Sequence, residues 1–582
     1  MKLKAALLIF FATLIVYSNS LGGEFAWDDE YFVVKNSRIR TLDGIASFFT
    51  NPSTAAFGGL AKDIYRPITV LSYALNYRFS GLDAFGYHLI NVLIHSFNAI
   101  LLFLLLYYLF NDLSIAFFAS LLFACHPVQT EVVSWISGRS SILALFFYLI
   151  SLICYVKRYR IFSIFAFALA LFSKEMAVTL PLVLILYDIH FGEKTKWKNK
   201  AFGYLPYFIL TALFIIARSV LLNKVSQTGW WGGSPYHTFL TMSKVMVSYL
   251  KILAAPIKLC AFYSIRPSQS ITAAGVAPSV GILILIFGAL PFIYRRSKEL
   301  SFAVLWFFVT ILPVSNIVPL KALMAERFLY IPSIGLILAA VLIIKRLSKK
   351  TVVAALVAST LVAAYSLRTI ARNEDWKDAV HISESIVKID PMNSWGLTSL
   401  GSAQMEKGDY ENALRSLKKA VAVSPDYSSA RNALGFYYLE RGSYADAAGE
   451  FEAGIKLDPD DAEMPNSLGI AYANLKKYED AEKQFKAALE KSPAFVTAYL
   501  NLGALYETKK EYEKALAEYN KVLSKTKTRS ESAFAHIRIG DVYKKTGQTE
   551  RAKEFYRKVV KVCGDDLHEA KKAAEERLNG VK

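Results

Sequence analysis

Long apolar runs dominate the first two thirds of this chain, and short polar or charged stretches separate them. A helix that crosses a membrane needs about 20 mostly apolar residues. Eleven runs approach that length, although 113–126 and 161–173 are short. The runs lie at 4–21, 88–110, 113–126, 140–156, 161–173, 176–191, 202–222, 276–294, 300–318, 328–344 and 351–370. The pattern predicts an all-α, polytopic bundle of membrane helices over residues 1–370.

A different period governs residues 371–582. Small, aromatic and proline residues recur there every 34 residues, which is the period of tetratricopeptide repeats. The four registers are Gly401, Gly435, Gly469 and Gly503; Ala413, Ala447, Ala481 and Ala515; Pro391, Pro425, Pro459 and Pro493; and Tyr410, Tyr444, Tyr478 and Tyr512. In such repeats two helices pack as a pair, and successive pairs stack into a superhelix. We therefore predict a repeat superhelix whose concave face can hold an extended peptide.

The ends of this array are irregular. A fifth copy, recognisable by Gly540, Tyr543, Ala552 and Tyr556, follows a three-residue insertion. A half copy at 375–391 joins the array to the last predicted span, and residues 565–582 predict a polar closing helix. The Tyr and Phe side chains at repeat positions are interpreted as core, so no specific binding residue is assigned in the array.

Charge separates the same two parts of the chain. Of the 582 residues 54% are hydrophobic, the mean hydropathy is +0.32 and the net charge is +19. Residues 371–582 carry equal numbers of basic and acidic side chains, so the whole basic excess belongs to residues 1–370. It lies in clusters between apolar runs, as in cytoplasmic loops, and does not indicate a nucleic-acid partner. The clusters are Lys157/Arg158/Arg160, Lys194/Lys196/Lys198/Lys200, Arg295/Arg296/Lys298 and Lys345/Arg346/Lys349/Lys350.

Eleven spans with the N-terminus inside place all four clusters in the cytoplasm. The apolar run 239–257 carries Lys244 and Lys251, and counting it as a span would move the 295–298 cluster outside. We therefore predict an interfacial helix at 239–257. The last span then runs outward, so the repeats lie outside the cytoplasm. Residues 5–21 resemble a signal peptide, but the many later spans favour a retained anchor.

The same topology places several charged side chains on the extracytoplasmic face of the membrane. Asp28 and Asp29 follow the first span directly, in a loop of about 65 residues. Charges near the apolar zone are costly, and they are usually paired or functional. The alternative is that each is an ordinary solvated loop residue. The other candidates on this face are Arg66, His126, Glu131, Arg139, Lys174, Glu175, Glu326 and Arg327.

Several motifs resemble the transmembrane and tetratricopeptide-repeat O-mannosyltransferase-like family. They are FAWDDEYFVV, YRPITVLSYALNYRFSGLDAFGYHLINVLIHSFNAILL, HPVQTEVVSWISGR, SKEMAV and ERFLYIPSIG. The resemblance covers nearly the whole chain, and it extends to protein O-mannosyltransferases and other C-type glycosyltransferases. It implies an extracytoplasmic active site, a polyprenyl-phosphate-linked sugar donor, often dolichyl phosphate mannose, and a hydroxyl acceptor. Similar enzymes carry an acidic pair, commonly Asp-Glu, in the first outer loop, and here the pair is Asp28-Asp29.

The acidic pair suits that chemistry. A lipid-phosphate donor holds its anomeric carbon near the membrane interface, so a base that deprotonates a Ser or Thr hydroxyl must lie at that depth. Asp28 directly after the first span meets this demand, and Asp29 is its catalytic neighbour. Inversion needs cations that bind the leaving phosphate, for which Arg66, Arg139, Lys174 and Arg327 are candidates.

Metal chemistry is not required by this mechanism, because a lipid phosphate is already a good leaving group. We therefore predict no obligatory cofactor. Divalent cation binding by Asp28, Asp29 and Glu175 is the alternative, although no ligand spacing supports it. The four cysteines, Cys125, Cys154, Cys260 and Cys563, predict neither a disulfide framework nor a zinc site.

Two function classes follow. The first is a membrane glycosyltransferase that modifies protein Ser or Thr hydroxyls, with the repeats presenting the acceptor protein. The second is a non-catalytic membrane scaffold that recruits partners through its repeats. A transporter is less favoured, because the spans lack charged residues at mid-depth and an internal duplication. The absence of N-glycosylation sequons and the short array favour a bacterial inner membrane with periplasmic repeats over an ER membrane.

Overall fold

The chain forms two compact units, Met1–Asp390 and Pro391–Lys582, and each is considered by itself. The computed structural model describes residues 1–57, 64–192, 197–223, 226, 228–348, 350–526, 528–562 and 567–580. Lys194, Lys196, Lys349 and Cys563 lie outside the described residues, as do the side chains of Lys198 and Lys200.

Helices build the described part of the first unit, and no strand occurs in it. The α-helices are α1 (Lys2–Val16), α2 (Ile45–Thr50), α3 (Pro67–Ser80), α4 (Ala84–Phe110), α5 (Leu113–Cys125), α6 (Thr130–Ser134), α7 (Arg139–Val156), α8 (Arg160–Ser173), α9 (Leu180–His190), α10 (Trp197–Leu222), α11 (Pro235–Ala254), α12 (Val276–Arg296), α13 (Lys298–Ile311), α14 (Ser333–Leu347), α15 (Thr351–Asn373) and α16 (Ala379–Ile389).

Short helical turns connect these helices and carry many of the polar side chains. One of them, Glu30–Val34, is a π-helical turn. The 3₁₀ turns are Ser18–Gly22, Ser37–Arg40, Pro52–Thr54, Pro127–Gln129, Ile136–Gly138, Glu175–Thr179, Trp231–Gly233, Leu312–Val314, Glu326–Leu329 and Glu374–Trp376.

Each of the eleven predicted runs contains an α-helix, but only some of these helices are long enough to cross a membrane. Among the described residues five pass by length and composition: Ala84–Phe110, Ile136–Val156, Ala201–Leu222, Val276–Arg296 and Thr351–Trp376. Helix α5 and the segment Pro127–Ser134, bent by 50°, would make a sixth if they form one span. Helix α11, predicted to be interfacial, is not among them.

The other predicted spans correspond to helices of 11 to 15 residues. At 1.5 Å per residue such a helix is about 16 to 22 Å long, which is less than the roughly 30 Å of a bilayer core. Polar or proline-containing segments end several of them: α5 ends before His126 and Pro127, and α8 ends before Lys174 and Glu175. Long apolar helices are therefore established for five of the eleven predicted spans.

The bundle is held by one large apolar core. Helix α4 packs against α1, α5 and α7, while α13 packs against α9 and α14. A second, smaller core fixes the loop between α1 and α3, where Val33, Ile39 and Phe48 pack with Tyr73 of α3 and Tyr87 of α4. This second core anchors the segment that follows the acidic pair.

The second unit consists of stacked helix pairs at the predicted period. Its helices are α17 (Ser394–Glu406), α18 (Tyr410–Val423), α19 (Ser428–Glu440), α20 (Tyr444–Leu457), α21 (Glu463–Asn474), α22 (Tyr478–Lys491), α23 (Val496–Thr508), α24 (Tyr512–Lys525), α25 (Arg529–Lys545), α26 (Thr549–Val562) and α27 (His568–Asn579). A Cβ at Gly469 would lie 2.6 Å from the Phe485 ring, so only glycine permits this approach of α21 to α22. The predicted repeat architecture is confirmed.

Candidate active site

The acidic pair lies in the loop between α1 and α3. Trp27, directly before the pair, adopts a left-handed backbone with φ +53°. Asp29 is buried, and its carboxylate accepts hydrogen bonds from the backbone N–H groups of Ala26 at 3.1 Å and Ser137 at 2.8 Å. The Ser137 hydroxyl donates a third bond to the same carboxylate. Asp29 therefore anchors its own segment to the turn Ile136–Gly138, which precedes α7.

Burial raises the pKa of Asp29 to about 7. The hydrogen bonds from Ser137 and Ala26 act in the opposite direction, because they stabilise the carboxylate, and the neighbouring charge of Asp28 adds to the rise. Since all three donors point at its two oxygens, Asp29 has little free capacity for an external proton donor. Its geometry fits a positioning role.

Asp28 differs from its neighbour. It is half-buried, and among the described residues no group hydrogen-bonds its carboxylate. Burial raises its pKa, while the positive charges of Arg327 and Arg66 oppose that rise. Asp28 is thus a carboxylate of increased basicity whose charge interacts with those of Arg327 and Arg66 and whose hydrogen-bonding capacity remains available. Of the pair, it is the one suited to act as a base.

Arg66, the residue before α3, forms a two-point ion pair with Glu175. Its Nε donates to Oε2 at 3.1 Å and its Nη2 donates to Oε1 at 2.7 Å, while Nη1 lies 3.4 Å from the Ser140 hydroxyl. Burial alone would raise the pKa of Glu175, but the charge and hydrogen bonds of Arg66 outweigh it and hold that pKa well below its ordinary value. Most donors of Arg66 are therefore already used.

Lys174 lies beside this ion pair, at the end of α8. The side chain is buried, and its Nζ donates to the Ser141 hydroxyl at 2.6 Å. Burial, and after it the charge of Arg66, lower its pKa to about 7, while the charge of Glu175 opposes the change. An ammonium group with one neutral partner in a dry environment is suited to receive an anion.

Arg327 is held from the opposite side by Glu131. Its backbone N–H donates to Glu131 Oε2 at 2.8 Å, and its Nη1 donates to Oε1 at 2.5 Å. Glu131 is fully buried, whereas 30% of the Arg327 side chain is exposed. Its guanidinium carbon lies 5.8 Å from the centre of the Trp135 ring. Glu131 thus orients a guanidinium that still presents an open side.

The remaining predicted residues lie in the supporting structure. His126 accepts from the Val128 N–H at 3.2 Å and bonds the Leu253 carbonyl at 3.0 Å, so both ring nitrogens are occupied. Arg139 is fully buried and donates to Asn91 Oδ1 at 2.8 Å. Neither side chain is available to a substrate in this arrangement.

Glu326 also belongs to the supporting structure. It is fully buried and accepts hydrogen bonds from the Cys260 N–H at 2.6 Å, the Tyr263 hydroxyl at 2.9 Å and Arg372 Nη2 at 3.2 Å. Burial raises its pKa, and the charge of Arg372 opposes that rise. Although adjacent in sequence, Glu326 and Arg327 therefore serve different networks.

Sequence reasoning missed the groups that hold this cluster together. Ser137, Ser140 and Ser141 are the donors and acceptors that α7 and the turn before it present to Asp29, Arg66 and Lys174. They stand at the end of the motif HPVQTEVVSWISGR and directly after it. The sequence signal for these three serines is the polar run SGRSS at the start of an apolar helix.

An apolar groove lies between α11, α12 and α13. Its volume is about 620 Å³, and no charged residue lines it. Met246 lines the groove, and Tyr249, about one turn further along α11, accepts a hydrogen bond from the Ala325 N–H at 3.2 Å. Ala325 is two residues before Arg327, so helix α11 both lines the groove and contacts the segment that carries Arg327.

The described residues contain no group of three or more His, Cys, Asp or Glu side chains arranged for a metal ion. Glu175, which a divalent cation would have to share with the acidic pair, is already bound by Arg66 at two points. The cluster consists of the open carboxylate of Asp28, the anchored carboxylate of Asp29 and three cations, of which Arg66 is paired with Glu175 and Arg327 with Glu131. Its charges suit an anionic ligand beside a base.

Known proteins resemble both units. The tetratricopeptide repeat family matches residues 398–462 and 466–533, and a second model of that repeat matches 535–575. Protein O-mannosyl-transferase F38B6.6 of Caenorhabditis elegans is 27% identical over 416 residues, which cover 69% of this chain and 60% of the relative. Protein O-mannosyl-transferase TMTC3 of Mus musculus is 24% identical, with 70% of this chain and 50% of the relative covered.

A human relative gives the same result. Protein O-mannosyl-transferase TMTC1 of Homo sapiens is 25% identical over 461 residues, which cover 67% of this chain and 52% of the relative. The chain thus spans about half to three fifths of the length of these relatives. Together with the repeats, the relatives confirm the resemblance that the motifs indicated.

Proposed function

We propose that this chain, similar to protein O-mannosyl-transferases and carrying tetratricopeptide repeats, is a C-type membrane glycosyltransferase. It transfers a sugar, mannose in the first instance, from a polyprenyl-phosphate donor to a protein Ser or Thr hydroxyl on the extracytoplasmic face. The observation that carries the proposal is the arrangement around Asp28: a carboxylate without a hydrogen-bond partner among the described residues, which faces the charges of Arg327 and Arg66. A base beside anion-binding groups is what this transfer requires.

The base and the phosphate-binding cations act on opposite sides of the anomeric carbon. Asp28 accepts the proton of the acceptor hydroxyl while the hydroxyl oxygen forms a bond to the anomeric carbon. The bond between that carbon and the phosphate oxygen breaks, and the electron pair leaves with the lipid phosphate. Cations next to the phosphate stabilise the charge that develops there. Attack from the face opposite the leaving group inverts the anomeric centre.

Arg327 is the first choice for the phosphate ligand. Its guanidinium is partly exposed and is bound through Nη1 by a single carboxylate, so further donors can meet phosphate oxygens. Lys174 is the second choice, because its one recorded partner is a neutral hydroxyl. Arg66 is engaged at two points by Glu175, and Arg139 is buried in the bundle. We assign these two arginines to support.

The apolar groove supports a lipid-linked donor. A polyprenyl chain needs an uncharged channel that begins near the phosphate site and opens toward the acyl chains of the bilayer. The groove between α11, α12 and α13 is uncharged, and Tyr249 of the same helix α11 is hydrogen-bonded to the backbone just before Arg327. The surrounding bilayer is the second lipid partner of the chain.

The orientation in the membrane rests on charge. We propose eleven crossings, in which helices α1, α5, α8, α9, α13 and α14 complete the five long ones, with the acidic pair outside. The described cytoplasmic cluster of Arg295, Arg296 and Lys298 lies at the end of α12 and the start of α13, as the positive-inside rule requires. A bacterial inner membrane with periplasmic repeats is favoured over an ER membrane.

The repeats are assigned to the acceptor. Stacked helix pairs of this kind provide an extended concave surface for peptide segments, and a protein hydroxyl must be brought to a base that is fixed at the membrane. We propose that the array binds the acceptor protein and raises its local concentration at the site. In the alternative, a non-catalytic scaffold, the repeats would bind partners without any transfer of sugar.

The test is transfer by the purified full-length chain in detergent. Radiolabelled polyprenyl-phosphate mannose is incubated with Ser- and Thr-containing peptides, and matched peptides with Ala at those positions are the control. We expect label on the hydroxyl peptides only. If folded protein transfers no sugar from mannose or other hexose donors of this lipid class, the enzyme proposal fails and the scaffold alternative is favoured.

A further inference from the structure

Three tryptophans meet beneath the acidic pair. The ring centres of Trp27 and Trp376 are 5.9 Å apart, those of Trp135 and Trp376 are 5.8 Å apart, and those of Trp27 and Trp135 are 6.4 Å apart. Trp376 is 3% exposed, and its ring NH has no hydrogen-bond partner among the described residues. The side chain therefore contributes to this site through the packing of its ring.

Trp376 touches both sides of the proposed reaction. Trp27 stands directly before Asp28, and its left-handed backbone sets the direction in which the acidic pair leaves the turn. Trp135 lies under the guanidinium of Arg327 and donates from its ring NH to the Ala26 carbonyl at 3.2 Å. One ring thus packs against a residue on the base side and a residue on the phosphate side.

The segment around Trp376 is tied to the same part of the first unit. The Glu24 N–H donates to the Lys377 carbonyl at 2.7 Å. Asn373 donates to the Val16 carbonyl at 2.9 Å, at the end of α1. Residues 373–377 follow the apolar part of the last span and precede the repeats, yet they are bound to the turn that carries the acidic pair.

We propose that Trp376 is a positioning residue for the transfer, which fixes the Asp28 carboxylate relative to the Arg327 guanidinium. This inference rests on the proposed function, because the separation of base and phosphate ligand matters only if both act on one donor–acceptor pair. A displacement of about 1 Å in such an arrangement can cost roughly 10²-fold in rate. The first unit therefore depends on Trp376, which lies at the start of the half repeat 375–391.

The experiment uses point variants of the full chain. Trp376→Ala removes the ring, and Trp376→Phe retains an aromatic ring and loses no recorded hydrogen bond. Phe103→Ala is the control for the loss of a buried ring. Phe103 lies on α4 about 18 Å along the helix from Asn91, the α4 residue that binds Arg139, and so it is remote from the candidate site. For each variant kcat, the KM of donor and acceptor, and the thermal midpoint are measured per folded molecule.

We expect Trp376→Ala to lower kcat by about 10²-fold while both KM values change less than about threefold. Trp376→Phe should recover most of the rate. Phe103→Ala should lower the thermal midpoint to a similar extent and keep kcat within about twofold of the wild type. If Trp376→Ala turns over like the wild type, or loses kcat only as much as Phe103→Ala, the inference is overturned.

A second measurement does not depend on activity. Amide hydrogen exchange of residues 24–34 should accelerate in Trp376→Ala and stay unchanged in Phe103→Ala. Unchanged exchange in Trp376→Ala overturns the positioning role. If the wild type transfers no sugar but exchange accelerates as expected, the proposed function fails while the packing role of Trp376 stands.

Discussion

Arg327 donates twice to the fully buried carboxylate of Glu131, from its backbone N–H at 2.8 Å and from Nη1 at 2.5 Å. Removing one member of a buried ion pair leaves an uncompensated charge, which typically costs about 3–5 kcal/mol. Arg327→Ala would therefore combine a lost ligand contact with lost stability. A variant that neutralises both partners separates the two effects.

The first prediction concerns Arg327 as the phosphate ligand. The double variant Glu131→Gln/Arg327→Gln removes both charges of the pair and should fold. We expect it to weaken donor binding about 10- to 100-fold, because a charge-assisted hydrogen bond contributes about 1.5–3 kcal/mol. Binding of a fluorescent polyprenyl phosphate measures this effect. The single variant Glu131→Gln, which keeps the guanidinium, is the control, and its affinity is measured on folded protein because it leaves Arg327 unpaired. Equal donor affinity in all three proteins would contradict the assignment.

The second prediction concerns Asp28. Asp28→Asn keeps the size of the side chain and removes its basicity, so turnover should fall about 10²–10⁴-fold. Donor affinity should change little. Asp29→Asn should have a milder effect, because Asp29 acts through its hydrogen bonds to Ser137 and Ala26.

Stability distinguishes catalysis from a capping role in this experiment. Loss of a helix cap costs about 0.5–2 kcal/mol and would leave the chemistry of the folded fraction intact. Turnover is therefore expressed per folded molecule, with the thermal midpoint recorded beside it. Wild-type turnover by folded Asp28→Asn protein would remove the base assignment and favour the scaffold.

The third prediction is a bell-shaped pH dependence of kcat/KM. Asp28 must be ionised, so activity rises with pH through its pKa, which burial raises. Lys174 must be protonated to meet the phosphate, so activity falls as pH rises through its pKa of about 7. Lys174→Arg keeps the cation charged at higher pH and should move the alkaline limb upward. An alkaline limb that is identical in the wild type and Lys174→Arg would show that this ammonium does not control it.

The stability contribution of Lys174 has the opposite pH dependence. Its pKa is lower in the folded chain than in the unfolded chain, so the unfolded state binds more protons between about pH 7 and 10. This group therefore favours the folded state more as pH rises through that interval. Lost activity above pH 7 with an unchanged or higher thermal midpoint points to the charge of Lys174, and not to unfolding.

The periodic parts of the fold were predictable from the sequence because they depend on spacing alone. Each apolar run contains a helix, and the 34-residue registers coincide with the helix pairs of the second unit. The number of long spans was not predictable, since charges and prolines such as Pro127 end helices before they reach bilayer length. The confirmed part is therefore the helix content and the repeat architecture.

The candidate site was predictable only as a collection of charges on one face. Its internal arrangement depends on contacts between residues far apart in sequence, such as Arg66 with Glu175 and Asp29 with the backbone of Ser137. No spacing rule encodes which arginine is already paired and which is open. Trp376 was unrecognised for the same reason, because its ring contacts lie more than 200 residues away along the chain.

The fourth prediction tests the topology. In a cysteine-free background, a cysteine at position 295 should resist an impermeant thiol reagent applied to intact cells or spheroplasts. Cysteines at 231 and 478 should react. Arg295 is exposed at the end of α12, so burial does not protect that position. Labelling at 295 from outside would reject the eleven-span orientation.

The fifth prediction separates the two units. The first unit ends at Asp390, and the half-repeat helix α16 belongs to it, so removing residues 392–582 keeps every residue of the candidate site and Trp376. We expect the truncated protein to fold and to retain donor hydrolysis. Transfer to the native protein acceptor should fall far more, because the surface that binds it is gone. Removing residues 371–582 instead deletes Trp376 and Arg372 and should abolish both reactions. Full-rate glycosylation of the native acceptor by the 1–391 protein would show that the repeats do not present it.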